Sequence, residues 1–227
     1  MFDKALYERE HAAIYAWYRK KYAQRDSYLI PDGVLDTENY SGILFLLKEA
    51  YSKEQKYGEY DLAADLSKNG PWGTWGHVAK WVYGLLHTDE HTIAPYRNMD
   101  KTEKNAMLRK IAVVNLKKVD GKTSSSDEDL LTYATENAAM LRREIAHVQP
   151  RIIVCGNTFR FLKEIYGLTG DYSCDNWYYW LDLEGVGKVL VLDYFHPSAR
   201  YPELLTYYGL VNIYQQALLH NSENNAE

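Results

Sequence analysis

Four short apolar runs constrain this chain more than any other feature. They are GILFLL (Gly42–Leu47), IAVVNLKK (Ile111–Lys118), RIIVCG (Arg151–Gly156) and KVLVLDYF (Lys188–Phe195). A strand with one wet face alternates apolar and polar residues, whereas a near-continuous apolar run belongs to a strand covered on both faces. The segments between them carry helical spacing instead. Leu6, Ile14, Trp17 and Tyr18 mark one helix over residues 3 to about 25, ended by Pro31 and Gly33 in SYLIPDG. HVAKWVYGLL follows the turn NGPWGTWG. Apolar or small positions 130, 131, 134, 138, 141, 145 and 148 step by three or four, which predicts a helix over 127–148, stopped by Pro150. Ser125 with Glu128 three residues on fits a capping box at its start. NTFRFLKEIYG and residues from about Pro202 to Leu219 complete the set.

This alternation predicts an α/β fold: a three-layer α/β/α domain around a mostly parallel four-stranded sheet, with YYWLDLEG as a candidate edge strand. One domain over 1–227 is expected, with 1–40 as an N-terminal helical extension and 220–227 as a frayed polar tail. There is no internal repeat and no linker.

Composition excludes several classes. No apolar run approaches the ~20 residues of a membrane span. The N-terminal MFDKALYEREHAAIYAWYRKKYAQ is charged throughout and does not read as a secretory signal. The two cysteines, Cys155 and Cys174, form no CxxC pair, so a cysteine-built zinc or iron–sulfur site is not expected. A reduced, cytoplasmic protein is the simplest expectation. A net charge of −5 argues against a large non-specific nucleic-acid surface. Locally, however, Lys101, Lys104, Arg109, Lys110, Lys117, Lys118 and Lys122 face only Glu103 and Asp120, a basic run that reads either as a solvated face or as a phosphate contact. The 21 Tyr and 6 Trp against 5 Phe suit wet binding surfaces as well as cores.

In sheets of this kind ligands bind beyond the carboxyl ends of the strands. Glu49, Asn115 and His196 each end or follow a different predicted strand, so the topology should bring them to one edge. A histidine that only closes a turn, and an asparagine that only ends a strand, are the readings for each residue in isolation. Their shared edge favours a site.

The motifs that hold these residues resemble the uracil-DNA glycosylase superfamily. LFLLKEAY is similar to its first motif, VVNLKK to the strand whose terminal Asn reads the base, and YFHPSARYP to its HPS motif. PRIIVCGNTF resembles the intervening strand–Gly–helix, and NGPWGTWG the stretch that supplies an aromatic platform. The resemblance spans residues 42–205. It implies that His196 donates to the carbonyl of a departing base, that Asn115 reads the base edge, and that Trp72 stacks on it, with Trp75 and Trp81 as alternative platforms. It further places Tyr51 at the base. Arg200 and Tyr201 fall where the family inserts a wedge into DNA. Ser198 and the lysines of 117–122, Lys117 and Lys118 among them, are candidates to position phosphates. The Ser125/Ser126 helix start reads as a plain cap or an anion site.

The first motif departs from the family. Lys48 stands in place of Gly and Tyr51 in place of Pro. Ala50 occupies the position where members that activate water directly carry Asp or Asn, which leaves Glu49 as the nearest carboxylate. The expectation is a DNA N-glycosylase hydrolysing the bond to a flipped uracil-like or modified base, monomeric, with DNA as partner and no cofactor or metal. The alternatives are a catalytically inactive nucleic-acid or nucleotide-binding protein on the same scaffold, and a fold-only relative with another small-molecule role.

Overall fold

The structure is a computed structural model and describes residues 2–23, 29–50, 59–119, 121, 125–170, 172 and 177–226. Tyr51, Lys122 and Cys174 lie outside the described residues. The elements run α1 (Lys4–Tyr22), β1 (Gly33–Val34), β2 (Ile43–Glu49), α2 (Leu62–Asn69), α3 (Trp75–His87), α4 (Lys101–Leu108) and β3 (Ile111–Lys117). They continue with α5 (Asp127–Glu136), α6 (Ala138–Val148), β4 (Ile152–Gly156), α7 (Phe159–Tyr166), β5 (Tyr178–Leu183), β6 (Gly187–Tyr194) and α8 (Glu203–Ala226).

The α/β class holds, and the sheet is larger than expected. Its order is β1-β3-β2-β4-β6-β5. The four anticipated strands form a parallel centre, in which β2 pairs with β3 and β4, and β4 with β6. Two antiparallel edges make six: β1 on β3, and β5, the YYWLDL segment, on β6. Short β1 shows no periodicity, because two residues cannot.

Side-chain parity on β2 explains the continuous apolar runs. Ile43, Phe45 and Leu47 enter a core with Leu62, Val78, Val82 and Leu210 from α2, α3 and α8. Leu44 and Leu46 enter another with Leu130, Leu141, Ile145 and Leu162 from α5, α6 and α7. Helices therefore lie over both faces, and each buried leucine contributes roughly 1.5–3 kcal/mol. Helix α1 closes a third cluster of Ile14, Tyr15 and Tyr18 with Leu29 and Val119. No helix among the described residues is long and apolar enough to cross a membrane.

Local chemistry sets the helix ends. Asp3 accepts the Leu6 N–H at 2.9 Å and Asp61 the Ala64 N–H at 2.8 Å. Asp100 and Glu103 form a reciprocal capping box on α4, a helix that the sequence pattern did not reveal. The expected helix over 127–148 is two helices, because Asn137 leaves helical geometry (φ −112°, ψ 10°). Its side chain ties α5 to α1: Nδ2 donates to the Tyr133 carbonyl at 2.7 Å and to the Tyr22 hydroxyl at 3.1 Å, and Oδ1 accepts from Lys21 Nζ at 2.7 Å. The cap at the start is Ser126 rather than Ser125, accepting the Asp129 N–H at 3.4 Å. Strand β3 runs two residues past Asn115, and α8 continues to Ala226 where a frayed tail was expected.

Candidate active site

Parallel register aligns Leu47 with Asn115 and Glu49 with Lys117. His196 follows two residues after β6 ends at Tyr194, which pairs with Gly156. Across this edge the segment Trp72–Trp75 leads into α3. Between them lies a cleft of about 270 Å³ lined by Glu49, Asn115, Trp72 and His196, with Trp75, Tyr60 and Leu62 completing its walls. Its volume sits just under the ~300–1,000 Å³ of sites for drug-sized ligands, a size suited to one planar heterocycle. Four residues separated by up to 147 positions in sequence thus meet around one cavity.

The imidazole of His196 has a defined proton. Its Nδ1 accepts the Ser198 backbone N–H at 3.2 Å and lies 2.7 Å from the Ser198 hydroxyl. A backbone N–H can only donate, so Nδ1 is the acceptor and the proton resides on Nε2. Burial, aided by the Lys48 ammonium, pushes the His196 pKa down to about 4. At neutral pH the ring is therefore an uncharged donor. Gly156 makes the approach possible: a Cβ there would come within 2.6 Å of Leu47 Cδ2 and 3.3 Å of Pro197 Cδ.

Asn115 is almost fully buried and held from behind. Its Nδ2 donates to Asp32 Oδ2 at 2.9 Å, and its backbone N–H donates to the same oxygen at 2.8 Å. Asp32 Oδ1 accepts from Lys118 Nζ at 2.7 Å and from the Tyr15 hydroxyl at 2.9 Å. Lys118 also donates to Glu144 Oε1 at 2.9 Å. Burial alone would pull the Lys118 ammonium toward neutrality, but the charges and hydrogen bonds of Asp32 and Glu144 outweigh it and hold its pKa above the usual lysine value. Burial pushes the Glu144 carboxyl up to about 8, with the Asp32 charge adding to the effect and Lys118 opposing it. One lysine thus serves two carboxyl groups, and burial favours the protonated form of Glu144.

The Glu49 side chain is only 4% exposed, with Oε2 3.5 Å from Lys117 Nζ. Lys117 also donates to Asp129 at 2.8 Å and lies over the Tyr133 ring. Gly121 presses on this carboxylate, since a Cβ there would sit 2.6 Å from Glu49 Cδ. The cleft therefore offers one carboxylate, one neutral imidazole donor, one amide and an indole that is 39% exposed at its mouth.

The remaining expected residues divide. Trp72 and Trp75 both line the cleft, whereas Trp81 is a core residue packed edge-on against Tyr194. Ser198 spends its hydroxyl on His196. Arg200 is exposed, and Tyr201, 55% exposed, lies 4.9 Å from the Phe195 ring. The phosphate role expected of Lys118 is corrected: it is 1% exposed and sealed in its ion cluster. Lys117 is likewise buried and committed to Asp129 and Glu49. The basic run is not one face, because Lys117 and Lys118 are buried, Arg109 and Lys110 lie at the start of β3, opposite the cleft end, and Lys101 and Lys104 lie on α4. An anion at the start of α5 would meet Asp127, Glu128 and Asp129 in the first turn, which leaves the cap as the role of Ser126.

Sequence reasoning missed Asp32, Tyr15 and Glu144. Asp32 reads as a turn residue between Pro31 and Gly33, and nothing local marks it as buried. In the sequence Lys48 reads only as a departure from the family motif, while its charge acts on His196. Compared with models of known protein families and with curated proteins, the chain matches none.

Proposed function

We propose that this protein is an N-glycosylase of the uracil-DNA glycosylase type, with a fold of that kind, acting on a base flipped out of DNA. The observation that carries the reading is the single cleft shared by Glu49, Asn115, Trp72 and His196. A base inside a duplex is out of reach, so the enzyme takes it out of the stack and reads its edge in a pocket. Trp72 stacks on the base, and Asn115 supplies a planar donor and acceptor to its edge. As the bond between base nitrogen and C1′ breaks, its electron pair stays on the base and charge grows on a ring carbonyl. The Nε2–H of His196 meets that charge, and a fixed donor in a largely dry site stabilises it far more than water does. Water oxygen bonds to C1′, its proton passes to Glu49 or solvent, and the base departs as an anion that takes a proton from solvent. Glu49 orients that water and faces the sugar cation. Arg200 and Tyr201 stand beside His196 to meet the strand from which the base has left.

A base-release assay on oligonucleotides carrying uracil, hypoxanthine or modified cytosine tests the reading. Abasic product from at least one, lost in His196→Ala, supports it. Tight binding with no release from any substrate sinks the hydrolase. One observation favours that second reading, a protein that holds a base without cleaving: the Glu49 carboxylate lies against Lys117, and Ala50 offers no replacement.

A further inference from the structure

We propose that Asp32 is a specificity-determining positioning residue, which fixes the donor–acceptor polarity of the Asn115 amide and so selects bases presenting an N–H beside a carbonyl. The inference rests on the reading of the cleft as a base site. An unrestrained asparagine is ambiguous, because rotating its amide by half a turn exchanges oxygen and nitrogen at little cost. Asn115 is not free to rotate. Asp32 Oδ2 takes the backbone N–H of Asn115 and its Nδ2 at 2.8 and 2.9 Å. A carboxylate oxygen accepts and cannot donate, so turning Oδ1 toward it would set two acceptors face to face inside the protein.

Asp32 is itself immovable. Lys118 and Tyr15 hold its other oxygen, and His11 Nε2 lies 2.6 Å from its backbone carbonyl. Lys118 keeps its negative charge compensated in the interior, and Glu144 gives Lys118 a second acceptor. The consequence reaches the cleft, which Asn115 lines. Asn115 Oδ1 makes no hydrogen bond among the described residues and remains as an acceptor, beside the second Nδ2 proton as a donor. That pair complements a lactam edge, as in uracil, thymine or hypoxanthine. The edge of cytosine, a ring nitrogen acceptor beside an amino donor, needs the reversed amide.

The test compares binding of free uracil and free cytosine, by NMR chemical-shift titration, in wild type and in Asp32→Asn. This substitution keeps the shape. It leaves Lys118 its second partner, Glu144, which can ionise once the Asp32 charge is gone, and gives position 32 a donor as well as an acceptor, which frees Asn115 to turn. Wild type is expected to favour uracil by about five- to a hundredfold, the range that a bidentate base contact carries. In Asp32→Asn, cytosine binding should rise in absolute terms and the ratio fall to within about twofold. A loosened pocket would instead weaken both bases together. Parallel weakening with the ratio kept, or an unchanged ratio, overturns the role of Asp32 while leaving the cleft as a base site. Equal binding of both bases by wild type also overturns it. Binding of neither by wild type overturns the base-site reading and this inference with it. Should Asp32→Asn not fold, the wild-type side-chain amide of Asn115 decides, identified by its loss in Asn115→Asp. One Hδ2 proton, bonded to Asp32, is expected to be shifted downfield and protected from solvent exchange, and two Hδ2 protons that both exchange as in a free asparagine refute the lock.

Discussion

Asn115 reaches Asp32 twice, through its backbone N–H and its side-chain Nδ2, and both bonds end on the same carboxylate oxygen. A residue at the cleft wall is thus joined to a buried ion cluster that also contains Lys118, Glu144 and Tyr15. Stability and recognition meet at Asp32, and separate substitutions tell them apart.

Asp32→Ala removes the acceptor for four donors and strips Lys118 of one counter-charge. Breaking a buried ion pair in this way costs about 3–5 kcal/mol, and ionisation of Glu144 should bring the loss toward the lower end. Denaturant unfolding measures it. A loss below about 1 kcal/mol would show that the cluster is not closed as described.

Glu144 carries a raised pKa, so the sign of its pH effect is fixed. Between its unfolded value near 4.5 and its folded value near 8, the native state binds the extra proton. Stability contributed by this group is present at low pH and is lost as pH rises through that window. Glu144→Gln keeps the shape without the titration. The variant should therefore lose less stability than wild type between pH 5 and 8.5, measured by urea unfolding at each pH.

His196 behaves in the opposite sense. Its folded pKa is about 4 against an unfolded 6.5, so the unfolded chain binds the extra proton between those values. Its contribution is present above pH 6.5 and is lost as pH falls toward 4. NMR titration of the ring should give a value near 4, with Nε2 protonated at neutral pH. Base binding should be flat from pH 6 to 8 and change only below about 5, when Nδ1 takes a proton and loses the Ser198 N–H. A ring titrating near 6.5 would contradict the neutral donor.

Trp72 lines the cleft while remaining 39% exposed, so its removal should separate binding from folding. Trp72→Ala should weaken base binding by about 1–3 kcal/mol, the worth of an aromatic platform. Its unfolding free energy should move by no more than about 0.5 kcal/mol, as for an ordinary surface change. Calorimetric titration measures the binding, and repeating it on Trp75→Ala tells which indole is the platform.

Much of the cleft was legible because strand topology is written in hydrophobic runs. GILFLL, IAVVNL, IIVCG and KVLVLDY admit only strands covered on both faces, and parallel strands place their carboxyl ends together. Glu49, Asn115 and His196 could be brought to one edge by that rule alone. Helix boundaries were less legible where distant partners intervene, as at Asn137, whose side chain joins Lys21 and Tyr22 of α1 as well as the Tyr133 carbonyl of α5.

The sequence by itself determined the α/β class, the four parallel strands and the residues at their ends, because periodicity and burial are local properties of a chain. Only the tertiary structure decided what each charge does. Lys118 and Asp32 are polar residues 86 positions apart, and nothing near either one says that they are buried together. Burying a charge is unfavourable unless a partner arrives, and the partner is supplied by the fold. That pairing removed Lys118 from the surface, gave it Glu144 as a second partner, and set which way the Asn115 amide faces.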